Sequence, residues 1–330
     1  MKSKFIFHTL YFIFHILQSM QNYIVFQAYG NKAIFQEAIY AIISLYRFGN
    51  DNNYQIIIYT DNKAIFQQYL FQIPIIYEPI TSKQIKEWRG EKDFVHRFKI
   101  KMLQDFFSKY TGNLLYVDTD IVFREPLTEI FAQISQGQRF MHLAEGQIDR
   151  QKGSLSKKIA HFLTKNEFVN QPENEFKTLQ ANLSQSPQNL LKISPETVMW
   201  NAGVIGINSN EKYLIDTVLW LSDAMYGTYK KHVMEQLAFS YCLQTNNHVK
   251  PTDYAIYHYW FFKEFRIVLE KFFDEHQGKS VSQLSPLIDE INPEILVIPK
   301  KNYEAMPKWK RWLWKLRGKT WKINEMYDVL

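Results

Sequence analysis

"GNLLYVDTDIVF", residues 112–123, is an apolar run that carries two acids, Asp118 and Asp120. "NLLYV" has the composition of a buried strand, so the acids stand at its carboxyl end. A single aspartate there reads as a helix cap or a turn residue. Two acids at i and i+2 project to one side, and close negative charges repel unless a cation lies between them. Hard divalent ions prefer carboxylate oxygen, and magnesium or manganese leaves positions open for phosphate groups.

Outward from this stretch the pattern alternates. "YIVFQAYG" (23–30) reads as a buried strand ending in a glycine turn, and "KAIFQEAIYAIISLYRFG" (32–49) has helical periodicity. "YQIIIYTDN" (54–62) is a second strand, "KAIFQQYLF" (63–71) a helix, and "IPIIYEPI" (73–80) strand-like. "DFVHRFKIKMLQDFFSKYTG" (93–112) is a longer helix that leads into the opening stretch. Alternating strands and helices with near-continuous apolar strands imply an α/β fold whose parallel sheet is covered on both faces. Ligands of such sheets bind beyond the carboxyl ends of the strands. Tyr29-Gly30, Thr60-Asp61 and Asp118-Thr119-Asp120 all fall at such ends, so three strand tips are expected to share one crevice.

Residues 146–195 change character: "SQSPQNLLK" and its surroundings are polar and lack clean periodicity, as in an inserted helical excursion or lid. The core resumes at "TVMWNAGVIGIN" (197–208), read as one strand. The helices "EKYLIDTVLWLSDAMYG" and "HVMEQLAFSYCLQ" and the strand-like "YAIYHYWF" follow.

The single cysteine, Cys242, rules out an internal disulfide and fits a reducing compartment; its apolar helical setting marks a core thiol rather than a nucleophile. Residues 1–19, "MKSKFIFHTLYFIFHILQS", form an apolar extension too short to span a bilayer comfortably. Two readings stand, a signal-like segment or a start ahead of the true one at Met20. The domain proper is expected over 20–300, followed by a tail over 301–330. The net charge is only +6, but basic residues concentrate in that tail. "PKWKRWLWKLRGKTWK" (307–322) puts Trp309, Trp312, Leu313 and Leu316 at helical spacing among lysines and arginines. Tryptophan at a headgroup boundary with surrounding cations describes an amphipathic helix lying on an anionic membrane surface. Nothing resembling a nucleic-acid motif accompanies it, so nucleic acid is not the expected partner.

Two enzyme classes place D-x-D at a strand tip. Haloacid-dehalogenase-like phosphatases use the first aspartate as a nucleophile, but carry the motif near the chain start with a downstream Gly-Asp cluster that is missing here. The second class matches more of the chain. "VFQAYG", "HRFKIK", "YVDTDIVF", "WNAGVIGIN", and "EQLAF" followed by "YHYWFFK" occur in the order and approximate spacing of GT-A-fold glycosyltransferases. The chain resembles glycosyltransferase family 8 in particular, the glycogenin-like and lipopolysaccharide galactosyl- and glucosyltransferase-like enzymes. The resemblance runs from Asn22 to Lys263 outside the polar insertion.

What the resemblance implies is a Rossmann-like mixed sheet flanked by helices and a metal-dependent, retaining transfer of a hexose. The donor would be a nucleotide diphosphate sugar, UDP-linked, and the acceptor a glycan or lipid-linked glycan. Asp118, Asp120 and His258 would hold a divalent cation, Mn2+ or Mg2+, although His258 among aromatics also reads as a core residue, and the family's glycine after this histidine is missing. Thr119 lies between the two acids. Arg97 and Lys99 would contact the donor, whereas helical spacing pairs Arg97 with Lys101 instead. Ala28 and Tyr29 would line the nucleotide, with the Tyr29 ring stacking on a base or packing on a helix. Asp61 would accept from a base NH or cap the next helix. Asn201, Ala202 and Gly203 would line the sugar side, and Glu235 and Gln236 would lie near the anomeric carbon. Lys263 would pair with the leaving phosphate or stay solvated; its spacing is one residue shorter than the family's, and Glu264 stands where the family has proline. An attached peripheral enzyme at the inner face of a membrane, in the cytoplasm, is the setting this implies. A non-catalytic glycan-binding protein of the same fold is the alternative outside enzymology.

Overall fold

In a computed structural model, residues 20–49, 54–147, 197–228, 233–317 and Trp321 are described. The apolar extension 1–19, nearly all of the polar insertion and the end of the tail lie outside the described residues. Strands β1 (Asn22–Gln27), β2 (Tyr54–Thr60), β3 (Ile75–Pro79) and β4 (Asn113–Val117) alternate with helices α1 (Lys32–Tyr46), α2 (Lys63–Leu70), α3 (Ser82–Arg89) and α4 (Arg97–Lys109). Then come β5 (Ile121–Phe123), α5 (Thr128–Ser135), β6 (Arg139–Met141), β7 (Ala144–Gln147), β8 (Val198–Trp200) and β9 (Val204–Asn208). Helices α6 (Tyr213–Thr228) and α7 (Val233–Gln244), strands β10 (Val249–Pro251) and β11 (Ile256–His258), and helix α8 (Phe265–Glu275) complete the core. Four short C-terminal helices follow: α9 (Val281–Leu284), α10 (Pro293–Leu296), α11 (Ile298–Ala305) and α12 (Lys308–Leu316).

The main sheet has seven strands in the order β10-β6-β9-β4-β1-β2-β3. β1 pairs in parallel with β2 and β4, β2 with β3, and β10 with β6, whereas β9 runs antiparallel to both β4 and β6. The sheet is therefore mixed. This is the mixed sheet that the resemblance implies; a continuous apolar run reports burial of both faces but not strand direction, so periodicity alone points only to the parallel part.

Side chains alternate across the sheet with the two-residue period of a strand. Ile24, Phe26, Ile56, Ile58, Leu115 and Val117 face α1 and α8. Val25, Ile57, Tyr59, Leu114 and Tyr116 face α4, α6 and α7. Burying each such aliphatic or aromatic side chain contributes about 1.5–3 kcal/mol, which makes the sheet a rigid base for whatever its tips carry. Helix α1 is buried on nearly every side, and Asn31 caps it by accepting from the Ile34 N–H.

Two interruptions define the site. The opening stretch is not one strand: β4 ends at Val117, and the chain turns through 118–120 before β5 pairs with β11 in a separate two-stranded sheet. "TVMWNAGVIGIN" is likewise split, since β8 pairs with β7 and only β9 joins the main sheet. The breaks meet: the Asp118 N–H donates to the Gly203 carbonyl at 2.7 Å, and the Tyr259 N–H donates to the Asp120 carbonyl at 2.9 Å.

Candidate metal centre at the strand tips

Asp118, Asp120 and His258 each offer one ligand atom, and the three atoms lie within 4.8 Å of one another. His258 Nε2 sits 3.1 Å from Asp120 Oδ1 and 3.8 Å from Asp118 Oδ2. Its other nitrogen, Nδ1, sits 3.0 Å from Asn201 Oδ1. That amide oxygen also accepts from the Gly203 N–H at 2.9 Å, while Asn201 Nδ2 donates to Glu145, so the amide orientation is set by its own partners. Nδ1 thus faces an amide oxygen and Nε2 faces the two carboxylates; with a cation between the acids, an Nδ1–H donated to Asn201 would leave Nε2 as the ligand atom.

The donor set of two carboxylates and an imidazole suits a divalent ion of the manganese or magnesium kind. Backbone shape also fits it. A Cβ built on Gly203 would lie 2.3 Å from the His258 ring and 2.9 Å from Asn201 Oδ1, so only glycine lets the imidazole stand here.

The cations around these acids come from different elements. Lys263 Nζ reaches Asp120 Oδ2 at 2.5 Å. Burial alone would raise the Asp120 carboxyl, but His258 and Lys263 outweigh it and hold the group well below the usual carboxylate range. Tyr116 donates its hydroxyl to Asp118 Oδ1 at 2.5 Å. Lys99, almost fully buried, donates to the Ala202 carbonyl at 2.9 Å, pairs with Glu235 at 2.8 Å and lies 3.7 Å from Asp118. Burial would lower the Lys99 ammonium, but Asp118 and Glu235 override it and hold it above its ordinary value.

The expected residues therefore divide. Asp118, Thr119, Asp120, His258, Lys263, Asn201, Ala202, Gly203, Lys99 and Glu235 form one connected group. Arg97 does not join it: its guanidinium is committed to Asp223 on α6 at 2.8 Å and to the Trp88 carbonyl. Lys101 bonds Gln104 instead, so the helical pairing of Arg97 with Lys101 does not select the cation beside Asp118. The reason is that α4 turns Lys99 inward with Phe98 and Ile100 on its buried side. Glu235 lies beneath the group as the partner of Lys99, whereas the half-buried Gln236 turns outward and donates to Glu145 at 2.7 Å.

At the neighbouring tips, Ala28 is buried and its N–H donates to the Tyr59 carbonyl at 2.9 Å. The Tyr29 ring packs on Phe98 of α4 with centroids 4.5 Å apart, the second of the two expected roles. Burial raises the Tyr29 hydroxyl, opposed by nearby Arg89. Asp61 does not cap α2; it accepts from the Gly30 N–H at 3.3 Å and so ties the β1 and β2 tips together.

Two acids escaped the sequence reading. Glu145 is exposed on β7 and joins Asn201 to Gln236, but it sits at the edge of a segment that reads as polar insertion. Glu37 is buried on α1 and accepts from Thr119 and Arg266. Its signal was a lone acid within the apolar "IFQEAIY". Burial raises the Glu37 carboxyl, Arg266 opposes that, and Asp120 adds to it.

No family model matches the sequence, and no curated protein matches it. Among solved structures the chain is similar to mouse xyloside xylosyltransferase 1, with a TM-score of 0.43 and 11% identity, over 70% of this chain and 84% of that one. It is similar to the galactosyltransferase LgtC solved with donor and acceptor sugar analogues, with a TM-score of 0.44 and 14% identity, over 76% of this chain and 95% of that one. A third is the bifunctional glycosyltransferase WbbM, with a TM-score of 0.45 and 14% identity, over 71% of this chain and 39% of that one. These similar structures are glycosyltransferases, the class that the sequence resembles.

Proposed function

We propose that the chain transfers a hexose from a UDP-linked sugar to a hydroxyl of a glycan or lipid-linked glycan, with retention at the anomeric carbon. The observation that carries this reading is the convergence of Asp118, Asp120 and His258 at the carboxyl end of β4, beside the tip of the parallel strand β1, the end of an α/β sheet where ligands bind. A Mn2+ or Mg2+ ion held by these three residues would supply Lewis-acid stabilisation of the negative charge on a departing diphosphate.

The remaining roles belong to the chain's own side chains. Lys263, half exposed and hydrogen-bonded to Asp120, would move onto the diphosphate. Lys99 holds Asp118, Glu235 and the Ala202 carbonyl in fixed relation. Gln236, anchored on Glu145, would offer its amide to sugar hydroxyls, and Asn201, whose oxygen is held by Gly203 and His258, would offer its remaining amide N–H. Gly203 gives His258 its space. Ala28, Tyr29 and Asp61 frame the nucleotide end, and Arg97 acts from outside by fixing α4 to α6. In the transfer, the bond from the anomeric carbon to the diphosphate oxygen breaks, the acceptor oxygen bonds to that carbon, and the acceptor proton leaves with the diphosphate.

The same reading makes 20–300 the catalytic domain and 301–330 a membrane-surface tail at the inner, cytoplasmic face, without nucleic acid as partner. Among the described residues no helix is long and apolar enough to cross a membrane. On α12, Trp309, Trp312, Leu313 and Leu316 share one exposed face at i, i+3, i+4 and i+7.

Incubation with UDP-sugars and Mn2+, with and without glycan acceptors, should release UDP, and Asp120→Ala should abolish the release. A glycan-binding protein without turnover would release none from any donor. Release that survives Asp120→Ala would refute the metal assignment.

A further inference from the structure

Glu37 has no place in the reading above, yet its position is unusual. It lies on the inward face of α1, 1% exposed, in a helix otherwise buried through Phe35, Ala38, Ile39 and Ile42. Its carboxylate takes Arg266 in a two-pronged contact, with Nε at 2.7 Å and Nη2 at 3.0 Å. It also accepts from Thr119 Oγ1 at 3.2 Å. Thr119 is the residue between the two acids of the cation site, and it is itself buried.

Stability does not account for this arrangement. Taking the Glu37 carboxylate out of water is costly even beside a guanidinium that stays 33% exposed, and apolar residues of similar volume commonly hold a fold as well or better. What the pair does supply is direction. The backbone of the 118–120 turn is held at one end by the Gly203 carbonyl and at the other by the Tyr259 N–H. Among the described residues its middle has one side-chain hold, from Thr119 to Glu37.

We propose that Glu37 is a positioning residue for the cation site: acting through Thr119, it fixes the turn so that both aspartates point the same way. Arg266 is the countercharge that keeps this third carboxylate engaged and out of competition for the ion. The inference rests on the metal reading of Asp118, Asp120 and His258. Partners that orient metal ligands from behind typically set affinity by roughly 10–100-fold.

The test is Mn2+ binding followed by electron paramagnetic resonance on the full chain, with thermal melting of each variant as the control for folding. Thr119→Val removes the hydroxyl at nearly constant shape and should weaken Mn2+ by at least about tenfold with little change in melting. Thr119→Ser keeps the hydroxyl and should bind as the unaltered chain does. Glu37→Gln keeps an acceptor without the charge and should fall between the two. Glu37→Gln combined with Thr119→Val should bind no more weakly than Thr119→Val alone, because one acts through the other. Thr119→Val with unchanged affinity, or additive losses in the double variant, would overturn this inference while leaving the metal reading intact. Absence of Mn2+ binding by the unaltered chain would overturn both.

Discussion

Charge is handled in opposite ways at the β4 tip and on α12. At the tip, Asp120, Glu235, Glu37 and Lys99 are buried and cross-bonded, and each ionic group is held by partners from other elements. On α12 the lysines stand in solvent, and the exposed residues that need a partner are tryptophans and leucines. Buried charge is expensive to disturb, because a removed partner leaves an ion without solvation. Exposed charge acts through sums of small terms, screened by salt. Substitutions should therefore fall steeply at the first region and shallowly at the second.

The largest loss is expected at Lys99. Lys99→Met strips the partner from Glu235 and one neighbour from Asp118, and should cost about 3–5 kcal/mol of stability in denaturant unfolding. Adding Glu235→Met should recover much of that, since the stranded carboxylate is then gone. A Lys99→Met variant as stable as the parent would break the contrast between the regions. Next comes Gly203→Ala, whose methyl collides with the His258 ring. Mn2+ affinity should fall by roughly 100-fold, measured by paramagnetic resonance, with a smaller effect on melting because the turn rather than the sheet must shift.

Much of this geography could be read before any coordinates. β1, β2 and β4 were legible as apolar runs, and their parallel register puts Tyr29, Asp61 and Asp118 at one edge. The reversed direction of β9 was not, since residues 200–208 spell burial and nothing about polarity. The cut at Asn201–Gly203 was hidden for a related reason: β8 and β9 are both apolar, and only their different partners reveal two strands. Lys99 was singled out by resemblance, while spacing argued for Lys101. Spacing says which residues share a face of α4, but not which face meets the site.

An effect confined to high pH belongs to Cys242, buried on α7 in the core that α4, α6 and α7 share. Burial pushes its thiol up to about 12 from an ordinary value of 9.0. A group whose folded value is raised keeps its full contribution below the unfolded value and loses it as pH rises toward the folded one. Relative to Cys242→Ala, stability should therefore be flat below about pH 9 and then fall by about 1.4 kcal/mol per pH unit up to about pH 12. Thiol reagents should label the native chain only as fast as it unfolds. Rapid labelling at neutral pH would show that the core around α7 opens.

The smallest single effects are expected on α12, where they must be read against lipid rather than against melting. Removing 307–330 outright is a blunt test, because Trp321 packs near Phe262 and Lys300 of the core. Trp309→Ser with Trp312→Ser is cleaner: both side chains are more than half exposed, so the fold should keep its melting temperature. Sedimentation with vesicles rich in anionic lipid should be lost, and neutral vesicles should bind little in either case. Each of Lys308, Lys310 and Lys315 changed to Gln should weaken binding by about 1 kcal/mol, about fivefold, and less at high salt. If the double tryptophan variant bound as before while the lysine variants did not, the contact would be electrostatic alone. If neither series changed binding, the exposed apolar face of α12 would have some occupant other than a membrane.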